Sequence, residues 1–119
     1  MNYKEKAKDI YYQLQQDKLL DAFDQYYGND IIMTEPRGTR TGKAECRQYE
    51  EQFLASIGEF HSLEIVNLAS DVEEGVTFIE SVMDVTFKGG QRAKMEQVAV
   101  QRWKGDHIVH ERFYYNTEQ

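Results

Sequence analysis

Three consecutive segments near the end of the chain alternate apolar and polar residues with a period of two, and each is handed to the next through a glycine turn. In Val76 to Lys88, the residues Ile79, Ser81, Met83, Val85 and Phe87 share one face, while Glu80, Val82, Asp84 and Thr86 share the other. Gly89-Gly90 predicts a hairpin turn. Ala93 to Lys104 follows, with Met95, Gln97, Ala99, Gln101 and Trp103 on one side and Val98 and Val100 on the other. Gly105-Asp106 turns the chain again into His107 to Tyr115. A fourth strand, Phe60 to Ala69, precedes them and closes at Ser70-Asp71 and Glu73-Glu74-Gly75. Strands joined by tight turns pair antiparallel, and one face of such a sheet must be covered.

The N-terminal half supplies the cover. Tyr3, Ala7, Ile10, Tyr11 and Leu14 recur at helical spacing, and Asp17 breaks or caps that helix. Leu19, Leu20, Phe23, Tyr26 and Tyr27 make a second, short helix, for which Gly28-Asn29 reads as a stop. Asp30 to Glu35 reads as a strand, and Pro36 to Gly42 as a loop. A third helix buries Cys46, Tyr49, Phe53 and Ile57 and ends at Gly58. Helices segregated ahead of an antiparallel sheet predict one α+β domain over residues 1–119. Its three helices pack in a strongly curved, mostly antiparallel sheet, leaving a cone. Val82, Val98 and Val100 on the opposite face predict a homodimer through the convex side.

Charge excludes some partners. Fourteen Lys and Arg against 21 Asp and Glu leave a formal charge of −7, the wrong sign for a nucleic-acid groove or an anionic membrane surface. No apolar run reaches the length of a membrane span and no leader pattern opens the chain, so a soluble, cytoplasmic protein is expected. Cys46 is the single cysteine and lies on an apolar helical stripe, which makes it a buried structural thiol. His61, His107 and His110 have no ligand spacing, so no metal is expected. Gly38 to Gly42 lacks the spacing of a phosphate loop, and no cofactor is expected.

Two carboxylates stand out. Glu35 directly precedes Pro36, the one proline, which ends the strand and leaves the acid at the mouth of the loop. It is either a base in a pocket or a solvated acid paired with Arg37 or Arg40. Glu111 interrupts the row Val109, Phe113, Tyr115 on the last strand. It either faces the cavity, partnered by Gln97, Gln101 or Tyr11, or is turned outward by a bulge.

The paired N-terminal helices, the Glu35-Pro36-Arg37-Gly38 strand end, the Gly42-Lys43 helix entry and the terminal run Ile108 to Tyr115 together resemble the nuclear transport factor 2-like superfamily, in its SnoaL-like and ketosteroid-isomerase-like branch. The resemblance spans nearly the whole chain and implies a cystatin-like α+β barrel that dimerises. Ketosteroid isomerases place a carboxylate base before the proline, a position matched by Glu35. Their oxyanion-binding tyrosine falls on Tyr11, which is otherwise a core tyrosine. Their second donor, a protonated aspartic acid, falls on Ala99, which donates nothing. Steroid isomerisation is therefore not expected.

What the resemblance implies is a small-molecule pocket protein, an isomerase, cyclase or dehydratase without a cofactor that abstracts a proton from a hydrophobic carbonyl compound. The alternative is a ligand-binding or dimerisation module without chemistry. The expected site comprises Glu35, Tyr11 and Glu111 as catalytic groups. Its expected walls are Phe23, Tyr27, Met33, Phe53, Met83, Val85, Phe87, Met95, Gln97, Trp103, Phe113 and Tyr115.

Overall fold

The alternating segments pair as their patterns require. The computed structural model describes residues 2–117. Its elements are α1 (Tyr3–Gln15), α2 (Leu19–Tyr26), β1 (Tyr27–Glu35), β2 (Gly38–Thr41), α3 (Lys43–Ser56), β3 (Ile57–Asp71), β4 (Val76–Phe87), β5 (Arg92–Lys104) and β6 (His107–Tyr114). They form an α+β fold with one six-stranded sheet in the order β2-β1-β6-β5-β4-β3. Neighbours run antiparallel except β1 and β6, which are parallel. Three register shifts interrupt the long β3–β4 ladder, and each extra residue bends the sheet around the helices.

The core lies between the concave face and the helices. Ile31, Ile79, Val85 and Ile108 are fully buried, each contributing about 1.5–3 kcal/mol by leaving water. Helix α1 packs on α2, β3 and β4, and α3 on α2, β1, β2 and β3. The residues Ala7, Ile10, Tyr11, Phe23 and Cys46 carry the helical side of that core. Among the described residues no helix is long and apolar enough to cross a membrane.

Four local features depart from the sequence reading. Strand β1 begins at Tyr27 and runs through Gly28-Asn29 instead of stopping there. Tyr27 turns extended where its ring stacks on Phe23 at 4.7 Å and its hydroxyl reaches β6, so tertiary contact overrides the local stop signal. The supposed loop after Pro36 contains β2, which folds back on β1 with Glu35 opposite Gly38. Strand β3 starts directly at the end of α3; Gly58 is the second residue of the strand, where a Cβ would press on the Thr86 carbonyl at 3.3 Å. Finally, Arg102 pairs with His110 but Trp103 with Ile108. Val109 is thus an extra residue, and Ile108 takes the inward place expected for it.

Helix ends explain two further choices. Asn2 caps α1 by accepting from the Glu5 N–H at 2.8 Å. At the other end Asp17 is left-handed, with φ of 62°, and the Lys18 N–H returns to the Gln13 carbonyl at 2.8 Å. That is a Schellman closure built on a residue with a Cβ, which costs about 1 kcal/mol relative to glycine. Asp17→Gly is expected to raise stability by about 0.5–1 kcal/mol in urea denaturation. An unchanged or lower midpoint would contradict this account of the helix end.

Candidate functional site

The helices do not fill the cone. A cavity of about 520 Å³ remains between α1, α2, α3 and the concave sheet. Tyr11, Phe23, Tyr27, Met33, Glu35, Phe53, Met83, Phe87, Met95, Gln97, Glu111, Phe113 and Tyr115 all line it. Two expected wall residues do not. Val85 is fully buried behind the wall, and Trp103 lies towards the closed end, stacked on Tyr3 at 5.3 Å and edge-on to Tyr26 at 6.0 Å. Alternation along a strand fixes the face of a side chain but not its depth, and these two sit on the right face beyond the cavity's reach.

The inner end of the cavity is polar. Glu111 is 1% exposed, and both its oxygens lie 2.7 Å from the Tyr27 hydroxyl, which donates to them. Gln101 Nε2 donates to Glu111 Oε2 at 2.7 Å. Thr77 Oγ1 donates to Gln101 Oε1 at 2.8 Å and accepts from the Trp103 indole N–H at 2.9 Å. Burial pushes the Glu111 carboxyl up to about 7, against the stabilising donors Gln101 and Tyr27. The bulge at Val109 does not turn Glu111 outward; it falls nearer the start of β6 and leaves Glu111 facing inward opposite Gln101.

Tyr11 sits on the same inner wall, 3% exposed. Burial and the neighbouring Glu111 hold its phenol well above the usual range, so it remains a proton donor at neutral pH. Ser81 lies beside it and acts against that rise, although its buried Oγ makes no hydrogen bond of good geometry among the described residues. Ala99 is fully buried and supplies no polar group, while Gln97, two residues away, lines the cavity.

Glu35 sits at the outer end, 8% exposed. It is neither the solvated loop acid nor a free base. Tyr115 donates a hydrogen bond to its Oε2, and Arg40 reaches its Oε1 at 3.4 Å. The Arg40 guanidinium stacks on the Tyr49 ring, 3.3 Å from its centroid, which fixes where that positive charge stands. Local folding explains the arrangement: the Pro36-Arg37 turn doubles β2 back on β1, bringing Arg40 opposite Met33 with Glu35 nearby.

Sequence reasoning missed Glu50. It lines the cavity from α3, half-buried, with its carboxyl pushed up to about 8 by burial first and the Glu111 charge second, against the pull of Arg40. The signal was present: Glu50 lies four residues after Cys46 and three before Phe53, an acid on the apolar stripe. Tyr49, Arg37 and Arg40 also line the cavity. Cys46 is fully buried and its Sγ lies 3.5 Å from the Arg40 carbonyl; burial pushes the thiol up to about 11, which leaves it unreactive. The histidines stay dispersed, with His61 at 2.7 Å from Thr86 and His110 at 3.4 Å from Thr34.

The chain matches the SnoaL-like domain family over residues 1–115. Among solved structures, a Mesorhizobium loti protein classed as a SnoaL-like polyketide cyclase, and also as a carbohydrate phosphatase, is 28% identical. That match covers 97% of this chain and 100% of the other, with a TM-score of 0.82. A Burkholderia pseudomallei NTF2-like protein of unknown function is 17% identical over 99% of this chain and 94% of its own, with a TM-score of 0.83. A Pseudomonas putida protein classed as a polyketide cyclase is 15% identical over the same shares, with a TM-score of 0.82. These last two share the fold. No curated protein sequence matches the chain.

Proposed function

The chain belongs to the SnoaL-like domain family, and on that footing we propose that its cone binds a small, largely apolar carbonyl compound and moves a proton on it, as an isomerase, cyclase or dehydratase does. One observation carries this reading: acids and phenols converge on one apolar cavity. Glu35, Glu50, Glu111 and Tyr11 all line it, and Glu50 feels both the Glu111 charge and Arg40. Abstraction of a proton beside a carbonyl needs a carboxylate near the carbon and a donor near the oxygen that gains charge. Glu35 is the base and Tyr11 an electrophilic donor. Arg40 and Tyr115 orient the base, and the aromatic and methionine walls exclude water. A low-dielectric wall also strengthens each of these interactions.

A binder without chemistry is the competing reading. It is favoured by Ala99, where no second donor stands, and by the Arg40–Glu35 pair, which engages a carboxylate oxygen that a base would need free. Both readings require an apolar ligand. A thermal-shift series with aromatic ketones tests the shared premise. A ligand at about one hundred times its dissociation constant adds about 2.7 kcal/mol to stability, a rise of several degrees for a domain of this size. No shift with any apolar ketone would remove both.

Assembly and location complete the proposal. We place the protein in the cytoplasm as a homodimer joined through the outer sheet face. On that face Val82, Val98 and Val100 are half-buried, and Phe78 and Tyr114 are 41% and 50% exposed. Phe78 stands opposite Val100 and Tyr114 opposite Val98, so these side chains form one patch. Light scattering is expected to give twice the chain mass at micromolar concentration. A monomer mass insensitive to dilution would rule the dimer out.

A further inference from the structure

The hydrogen bonds behind the inner wall run in one direction, and the single tryptophan sets it. An indole N–H only donates, so Trp103 makes Thr77 Oγ1 an acceptor. The one hydroxyl hydrogen of Thr77 is then committed to Gln101 Oε1. That choice orients the amide, and its Nε2 donates to Glu111 Oε2. Thr77, Gln101 and Glu111 are at most 1% exposed, so bulk water does not compete.

Two consequences follow for the proton of Glu111. Oε2 already faces a donor, so the protonated acid carries its hydrogen on Oε1. The Tyr27 hydroxyl lies 2.7 Å from both oxygens and therefore serves either state without moving. Opposite a charged Glu111 it donates to the carboxylate. Opposite the neutral acid it accepts from Oε1, and its own hydrogen is released towards the cavity that Tyr27 lines.

We propose that Tyr27, backed by Glu111, is the donor that meets a ligand's carbonyl oxygen at the inner end of the cavity, and that Trp103, Thr77 and Gln101 are positioning residues that decide which Glu111 oxygen holds the proton. The inference rests on the small-molecule reading above and adds a donor to it. Glu35 removes a proton from the carbon beside the carbonyl, and the C–H electron pair becomes the C=C bond. The oxygen takes the Tyr27 proton, and Glu111 Oε1 returns one to Tyr27. The carbonyl π pair becomes the new O–H bond, so the ligand leaves as its enol isomer with the same atoms. Glu35 is left holding the abstracted proton and Glu111 as a carboxylate held by Gln101; loss of one proton to water and gain of one from water reset both. The groups facing Glu111 are Tyr27 of β1, Tyr11 of α1, Gln101 of β5 and Glu50 of α3, with Arg40 of β2 acting on Glu50. With its carboxyl near 7, Glu111 populates both states around neutral pH.

The test uses the folded, ligand-free chain and then two probes of equal shape. Carboxyl infrared absorption and Trp103 fluorescence are followed against pH in the wild type, in Thr77→Val and in Thr77→Ser. Loss of the Thr77 hydroxyl frees the Gln101 amide to turn, so Thr77→Val is expected to raise the Glu111 midpoint by about one pH unit, with Thr77→Ser restoring it. Gln101→Leu removes the donor itself and is expected to raise the midpoint by about one to two units. Unmoved midpoints in both Thr77→Val and Gln101→Leu, with native circular dichroism, would overturn the positioning role.

Acetonaphthone and ethylnaphthalene are then titrated into the wild type and Tyr27→Phe. The wild type is expected to prefer the ketone by about tenfold below the Glu111 midpoint, the equivalent of one neutral hydrogen bond. The preference should vanish above the midpoint and at every pH in Tyr27→Phe. Equal, pH-independent binding of both compounds would overturn the Tyr27 role while leaving the pocket reading intact. Binding of neither compound would overturn the pocket reading and this inference with it.

Discussion

The protein is expected to lose stability as the pH rises from 5 to 8, by on the order of 3 kcal/mol, the opposite of ordinary acid denaturation. Glu111 and Glu50 carry the effect. Both start from a carboxylate value of 4.5, and the folded chain pushes them up to about 7 and about 8. Between 4.5 and those values the native state holds more protons than the unfolded chain, so raising the pH favours unfolding. The contribution is fully present below about 4.5 and is lost as the pH passes through 7 and 8. The two acids repel one another within one cavity and titrate as a pair, so their effects do not simply add.

Three ion-paired carboxylates pull the other way at low pH. Asp24, Asp84 and Asp106 are held below 3.8 by Arg47, Arg92 and Lys6 respectively. Their stabilisation is present above 3.8 and lost as the pH falls through the folded values. The stability maximum is therefore expected near pH 5. Urea denaturation at unit steps from pH 4 to 8 checks it. Glu50→Gln and Glu111→Gln should each flatten the decline above pH 5, and the double variant should remove it. A wild type whose stability is level or rising from 5 to 8 would show that the fold does not hold these two acids in their protonated form.

What was legible in the sequence was whatever one buried face imposes. Ile79, Ser81, Met83 and Val85 alternate because each pairs across β5 on a wall that must be covered, so their common face could be read directly. Glu111 was legible for the same reason, as a carboxylate interrupting an apolar row. Glu50 breaks the helical stripe of α3 in the same manner, but a 3.6-residue stripe is traced by its apolar positions and hides one acid among them. Strand β2 escaped because Gly-Thr-Arg-Thr has no apolar residue to alternate; β1 holds it by backbone pairing. Val109 and Ile108 exchanged places because a bulge is a property of two strands in register and not of one. The surroundings of Glu35 were only half legible. Pro36 located the strand end, but the enclosure by Tyr115 joins residues 80 apart and depends on β6 lying parallel to β1.

Replacing Glu35 by Gln is expected to slow proton exchange on a bound ketone by about 10²–10⁴-fold, the usual contribution of a positioned base. Ketone affinity should remain within about threefold. The amide keeps the shape of the side chain, still accepts from Tyr115 and retains the wall, but it cannot take a proton from carbon. The measurement is deuterium uptake at the carbon beside the carbonyl of acetonaphthone in heavy water, followed by nuclear magnetic resonance. It reports the chemical step without requiring the natural substrate. Arg40 sharpens the result. Its guanidinium reaches Glu35 Oε1 and, stacked on Tyr49, holds the carboxylate in place. Arg40→Met removes that contact and keeps the apolar stem, so Glu35 is less fixed but can still take a proton. If the pair serves catalysis, its exchange rate should fall less than that of Glu35→Gln. If the cone only binds, wild type and Glu35→Gln will exchange at the same slow rate while holding the ketone equally well, because a binder has no use for a base beside its ligand.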